Sequence, residues 1–407
     1  MRTSWVNRAW VEPTLWVATP VLYVLLLAWL SLHGHLDAAV LLVVMAILGL
    51  AGVAVWRWRL GHRRWAALLA LGAVVVAATS GWYAYALNAK IAEIPRADDG
   101  ILSTNEDLRP DSKPTKAVNI LLMGADNAER LVDKPTVAEL LADGTWDPGT
   151  YNSDTMMVVH IPANRKAAYV VSVPRDSYVP IYDGEGVEHG KDKINAAFRD
   201  YGPFGALRTV EQLSGVRIQH MAVIDYAGFN QLTRAIGGVE VYIPDTFTDT
   251  QQKVTWEQGW QHLEGERALQ YVRTRHGLEG GDFQRIDRQQ NFLRAVLRKT
   301  LSDGTIGNPV KLSEVLSAVK DHLTVDDSWS TGALRSLAFG MRGVDASKVR
   351  FMTLPLGEYR TDPVAGAINI IDEEAARLLW KAVLDDRVGR YLKAHPDDEL
   401  PDEKQVD

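Results

Sequence analysis

The chain has no cysteine, which removes disulfide bridges, a thiolate nucleophile and any cysteine-ligated metal centre. It also lacks a G-x-S-x-G elbow, a G-x-x-x-x-G-K-[ST] loop and an H-E-x-x-H pair, so elbow hydrolases, P-loop nucleotidases and helix-borne zinc proteases are excluded. Basic charge is in deficit: 44 Lys and Arg stand against 51 Asp and Glu, a net charge of −7. A chain so balanced offers no broad cationic face, and no nucleic-acid partner is expected.

Long apolar runs, by contrast, fill the first ninety residues. Leu15 to Leu32, Ala38 to Trp56 and Trp65 to Leu87 each meet the roughly 17–25 residues that cross a bilayer as helix. Trp16, Trp56, Trp65 and Trp82 lie near their ends, where an amphipathic ring suits the headgroup layer. Arg2 and Arg8 precede the first run and Arg57, Arg59, Arg63 and Arg64 separate the second from the third, whereas the break from His33 to Asp37 has no Lys or Arg. The positive-inside rule then predicts a multi-pass protein of the cell membrane with everything after Asn88 extracytoplasmic. The expected organisation is a three-span region over 1–87, a polar Pro-containing linker over 88–117, a catalytic domain over 118–393 and an acidic, unstructured tail over 394–407.

In the domain, apolar runs of strand length alternate with helical patterns. Val118 to Met123, Ser153 to Ile161, Ala167 to Val173, Ile218 to Ile224, Val239 to Ile243 and Val349 to Leu354 read as strands, and Phe229 to Ile236 and Asp372 to Leu384 as helices. This alternation predicts a three-layer α/β/α sandwich around a mixed central sheet. Charged residues follow the strand ends: Asp126 after the first, Asp154 at the start of the second, Arg175 after the third. Such positions border ligand clefts in α/β folds, and carboxylates there suit a hard cation such as Mg²⁺. Turn or helix-cap duty is the other reading of each aspartate.

The stretch His262 to Lys299 holds eight Lys and Arg against five Asp and Glu, a local excess of three in an acidic protein. Its pattern reads as a short helix ending near Arg273 and Arg275, a loop, and a second helix from about Asp282. On that second helix Arg285 and Gln289 share a face at i,i+4 spacing. Guanidinium forks suit phosphate oxygens, and Arg288 and Lys193 join the binding candidates. Salt-bridged, solvated helices are the alternative, and a solvated lysine is the ordinary reading of Lys193.

The runs VNILLMGAD, NSDTMMVVHI, SVPRDSYVPI, KINAAF and GGVEVYIP, and above all GWQHLEGERALQYVRTRH followed by GDFQRIDRQQNFL, resemble the LytR-CpsA-Psr family over roughly Val118 to Thr300. The resemblance implies an α/β/α fold with an apolar pocket for a prenyl chain. It also implies a Mg²⁺- or Mn²⁺-dependent phosphotransferase that moves a glycopolymer such as teichoic acid or arabinogalactan from a polyprenyl diphosphate to peptidoglycan. Asp126 and Asp154 become the metal ligands and Arg175, Arg273, Arg275 and Arg285 the phosphate-binding residues, with Asp282 and Gln289 as further site residues and Asp282 as candidate base. The chain departs in carrying Asn152 where many members have Arg, and in a long insertion between the two aspartates. A polyprenyl-diphosphate phosphatase and a non-enzymatic envelope polymer-binding protein remain the alternatives.

Overall fold

The computed structural model describes residues 36–98, 106–112, 115–126, 136–142, 146–274, 282–302, 309–341 and 344–406. It divides into two units: residues 1–89 with 303–313, and residues 90–302 with 314–407.

The first unit supplies helix α1 (Leu36–Arg59) and most of helix α2 (Arg63–Ala92). Among the described residues only α2 is long and apolar enough to cross a membrane, judged by length and composition. Its Leu71, Val74 and Trp82 stand exposed, as on a helix apolar all round. Among the described residues this corrects the multi-pass expectation to a single candidate span. The first expected span, Leu15 to Leu32, lies outside the described residues. The second falls on α1, which runs into the charged Trp56-Arg57-Trp58-Arg59 end and is not among the helices that meet this test over the described residues. The orientation inferred by counting three crossings falls with that count.

The second unit is built on a seven-stranded mixed sheet. Its strands are β1 (Arg96–Ala97), β2 (Val118–Asp126), β3 (Asn152–Ile161), β4 (Ala168–Val173), β7 (His220–Asp225), β12 (Leu323–Asp326) and β13 (Val349–Thr353), in the order β1-β12-β7-β2-β3-β4-β13. Pairing is parallel for β1/β12, β7/β2 and β4/β13 and antiparallel elsewhere. Two-residue alternation sends successive side chains to opposite faces. Leu121, Met123, Val158 and Val171 enter a core with helices α4 (Asn195–Ser214), α10 (Glu373–Leu384) and α11 (Val388–Ala394), which contribute Leu207, Leu379 and Leu392. Ile120, Met157 and Val170 enter another, with Leu293 and Leu297 of α7 (Asp282–Ser302) and Leu334 of α9 (Thr331–Met341). Helices thus cover both faces, the α/β/α arrangement expected. Helix α3 (Val137–Ala142) also belongs to this unit, and α8 (Pro309–Val319) belongs to it from Glu314 onward.

Four two-stranded antiparallel sheets are also present among the described residues: β5 (Tyr178–Tyr182) with β6 (Glu188–Lys193), β8 (Val239–Ile243) with β11 (Gly259–Leu263), β9 (Phe247–Asp249) with β10 (Val254–Trp256), and β14 (Leu356–Asp362) with β15 (Gly366–Ile371). Helix α4 carries a kink where Gly202 takes φ +72° ahead of Pro203. The stretch expected to be a linker supplies β1 and also Arg109, whose guanidinium forks onto buried Glu211 with Nη2 to Oε1 at 2.8 Å. The tail expected to be unstructured is packed instead: Leu400 N donates to Phe351 O, Arg294 reaches Pro401 O at 2.8 Å, and Val406 is buried.

Asp326 ties β12 to β7. Burial alone would raise its carboxyl, but hydrogen bonds from His220, Ser328 and the Met221 amide outweigh it and hold the group below the ordinary carboxylate range. A depressed folded pKa stabilises the fold above the unfolded value, about 3.9, and that stabilisation is lost as pH falls through the folded value. Asp326→Asn is therefore expected to flatten the acid limb of stability between about pH 5 and 2, as read by denaturant melts across that range.

Candidate functional site

Strands β2 and β7 run parallel, with Ala125 beside Asp225, and β3 begins where β2 ends, with Asp126 opposite Asn152. One edge of the sheet therefore collects Asp126, Asn152 and Asp225. Asp154 joins them through a bulge: Gly124 pairs with Thr155 and Ala125 with Ser153, leaving Asp154 as the extra residue. A bulge re-aims a side chain that strict alternation would assign by parity. Ser153 is fully buried, while Asp154 and Thr155 are both half-buried.

Arg175 lies just past β4 and donates from Nη1 to Asp154 Oδ1 at 2.5 Å. Its loop is pinned from behind, because Asn195 N donates to Arg175 O at 3.1 Å and Ile194 N to Ser177 O at 2.8 Å. Lys193 sits in this second row: its Nζ is 3.3 Å from Asp176 Oδ1.

After β7, Asp225 caps helix α5 (Tyr226–Ala235) by accepting from Gly228 N at 2.7 Å, so Tyr226 enters the site as the first helical residue. Burial, then the negative charge of Asp154 and Asp126, push its phenol well above the ordinary range, and it stays protonated at any working pH. The Arg273 guanidinium lies over its ring, 4.9 Å from the centroid. Arg273 is the last residue of helix α6 (Gly265–Arg273). That helix starts at Gly265 with φ +53°, where a Cβ would come 2.5 Å from Arg234 Nε, so the position favours glycine.

Two cavities meet here. A polar one of about 610 Å³ is lined by Asp126, Asn152, Asp154, Arg175, Asn195 and Arg273, with glutamines and a glutamate beyond them. An apolar one of about 270 Å³ is lined by side chains that include Leu122, Met157, Ala222, Phe229, Phe292 and Val296. Among the described residues, Asp154 and Arg273 line both. A molecule suited to both carries an anionic head and a hydrocarbon tail, because arginine rewards the first and apolar walls the second.

A LytR_cpsA_psr family model matches residues 85–382. The chain belongs to the LytR-CpsA-Psr family. It is 30% identical over 348 residues to the cell wall biosynthesis protein LcpA of Corynebacterium glutamicum, covering 76% of this chain and 64% of that protein. It is 32% identical over 211 residues to the polyisoprenyl-teichoic acid–peptidoglycan teichoic acid transferase TagU of Enterococcus faecalis, covering 52% and 62%. The chain thus spans about three fifths of the length of these relatives. The Bacillus subtilis TagV crystal structure shares the fold, with a TM-score of 0.53 at 23% identity over 68% of this chain and 98% of that one.

In this LytR-CpsA-Psr protein, then, Asp126, Asp154, Arg175 and Arg273 share one cavity. Arg285 and Arg288 are not among the residues that line it. Arg285 and Arg288, 1% and 0% exposed, sit inside the helix layer rather than on either wall. Arg288 Nη1 donates to Thr274 O at 3.0 Å and its guanidinium lies 5.4 Å from the Phe247 ring centroid. Gln289 donates to Val272 O at 3.3 Å and lines the apolar cavity. Arg288 and Gln289 therefore hold α7 against the end of α6 and so position Arg273. Arg275 lies outside the described residues, as does the side chain of Asp282, which begins α7. Asn152 lines the polar cavity, setting a neutral amide where the resemblance expected a cation. Sequence reasoning missed Tyr226, Asn195, Gln251, Gln252, Glu266 and Gln270. A signal existed for Tyr226 alone: Ile224-Asp225-Tyr226 ends a strand with a helix-capping residue, as Asp126 ends its own.

Among the described residues no group of three or more His, Asp or Glu is placed to hold a metal ion. Two carboxylates on one cavity wall still fit Mg²⁺, which binds through one or two carboxylates and takes its other ligands from water and substrate phosphate.

Proposed function

We propose that the chain transfers a glycopolymer from a polyprenyl diphosphate to peptidoglycan, forming a phosphodiester. The observation that carries this reading is the join of the two cavities at Asp154 and Arg273. It suits a prenyl chain in the dry pocket with its diphosphate at the charged edge. The name of the Enterococcus faecalis relative, a teichoic acid transferase acting between polyisoprenyl carrier and peptidoglycan, supports the same class. A single span by α2 would tether the protein to the bilayer that dissolves such a carrier.

In this reading an acceptor hydroxyl attacks the phosphorus nearest the glycan, the bridging P–O bond breaks, and prenyl phosphate leaves with the bond's electrons while the hydroxyl proton passes to solvent or a carboxylate. Arg273 and Arg175 neutralise the phosphate oxygens with charge that persists at any working pH. Arg175, anchored to Asp154 and by its own carbonyl, is preorganised for this. Tyr226, kept protonated, can donate to an oxygen and never repels one. Asp126 and Asp154 would hold Mg²⁺ or Mn²⁺; when bound, it supplies further neutralisation of the diphosphate.

The test is full-length protein in detergent with a prenyl-diphosphate sugar, Mg²⁺ and soluble peptidoglycan fragments, products resolved by mass. Fragment joined to sugar phosphate, with prenyl phosphate released in equal amount, is expected. Free sugar phosphate alone would make the protein a phosphatase, and donor bound but uncleaved would make it a binding protein.

A further inference from the structure

The lining of the polar cavity that is not shared with the apolar pocket falls into two sets. The first set, Asp126, Asn152, Arg175 and Asn195, lies at strand ends and at the start of α4 and holds the one cation of the unshared lining among the described residues, Arg175. The second set, Gln251, Gln252, Glu266 and Gln270, stands on the turn between β9 and β10 and on α6, and holds three neutral amides, one carboxylate and no cation. Phosphate oxygens at neutral pH only accept, so cations and donors match them. Sugar hydroxyls both donate and accept, and amides and carboxylates match those.

This second wall is built. Asp249, 1% exposed, accepts from the amides of Gln251 and Gln252 at 2.9 and 2.8 Å. Gln252 Nε2 donates to Asp249 Oδ2, Gln270 O and Thr274 Oγ1 at 3.2, 3.1 and 3.2 Å, fastening the turn to the end of α6 beside Arg273. Glu266 Oε2 accepts from Asn230 Nδ2 at 3.3 Å.

We propose that Gln251, Gln252, Glu266 and Gln270 form the subsite for the acceptor, a hydroxyl-rich glycan. The inference rests on the transfer reading above and deepens it. With the prenyl chain in the apolar pocket, the leaving phosphate lies at the shared residues Asp154 and Arg273. In-line displacement brings the nucleophile in opposite the leaving group, so the acceptor belongs on lining that the apolar pocket does not share. Of the two unshared sets, the amide wall has the chemistry of a sugar site without a phosphate-matching cation in it.

The experiment measures KM for a soluble muramyl glycan acceptor and, separately, KM for a prenyl-diphosphate sugar donor, in full-length Gln251→Ala, Gln270→Ala and Glu266→Gln. Each variant is expected to raise acceptor KM by about three- to tenfold, the scale of one lost hydrogen bond, with donor KM within about twofold of wild type on the same scale. Glu266→Gln keeps the side-chain shape, so its result does not hinge on refolding. Acceptor KM unchanged in all three, or donor KM rising in step with acceptor KM, overturns the proposal. A wild-type protein that neither binds nor cleaves the donor fails the transfer reading itself, and equilibrium donor binding records that outcome separately.

Discussion

Arg273→Ala is expected to lower kcat/KM for the lipid-diphosphate donor by about 10²- to 10³-fold, the scale of removing one preorganised charge-stabilising group. The expectation is large because Arg273 is the only cation among the described residues on the wall of both cavities, placed where head and tail of a carrier lipid divide. Its fixed position has three sources: the end of α6, the Tyr226 ring beneath it, and the bonds from Arg288 and Gln289 that close α7 onto the same helix end. Arg273→Lys should fall between alanine and wild type, since it keeps the charge and loses the planar fork. A steady-state assay with a melting curve beside it separates this from unfolding. The lost ring contact is worth only about 0.5–1 kcal/mol, so a collapse of the melt would point to a structural role instead.

Ala222→Phe is expected to raise Kd for a long-chain prenyl diphosphate by about 10- to 100-fold while leaving inorganic pyrophosphate binding unchanged. Ala222 lies on β7 and lines the apolar pocket, so a ring there occupies volume the chain needs. Each methylene kept out of the pocket forfeits about 0.8 kcal/mol, and two or three give the stated range. Equal weakening of both ligands would mean that the ring disturbs the charged edge rather than the pocket.

Much of this site is legible in the amino-acid sequence. Asp126, Asp154 and Arg175 follow or begin apolar runs of strand length, and a mixed sheet with neighbouring β2, β3 and β4 brings such ends together. What stays hidden depends on pairing at long range. Nothing local tells that β7 lies parallel beside β2, so the sequence does not place Tyr226 next to Asp126. Strands β9 and β10 have three residues each, too few for alternation to show, and the turn carrying Gln251 and Gln252 leaves no pattern. The i,i+4 spacing of Arg285 and Gln289 does put them on one face, but spacing does not say which face packs. In the fold Arg285 and Arg288 turn inward, along with Ile286 and Phe292. The acidic tail misleads because composition omits its partners: Glu403 pairs with Arg298 at 2.5 Å and Pro401 O accepts from Arg294.

The central claim is that one ligand occupies both cavities at once. Calorimetric Kd values for a series of diphosphates, from inorganic pyrophosphate through prenyl chains of increasing length, test it most directly. Affinity should climb with each isoprene unit until the apolar pocket is full and then level off, and Arg273→Ala should weaken every chain-bearing member by a similar factor. A chain-free diphosphate that binds as tightly as the prenylated ones, with or without Arg273, would contradict the account.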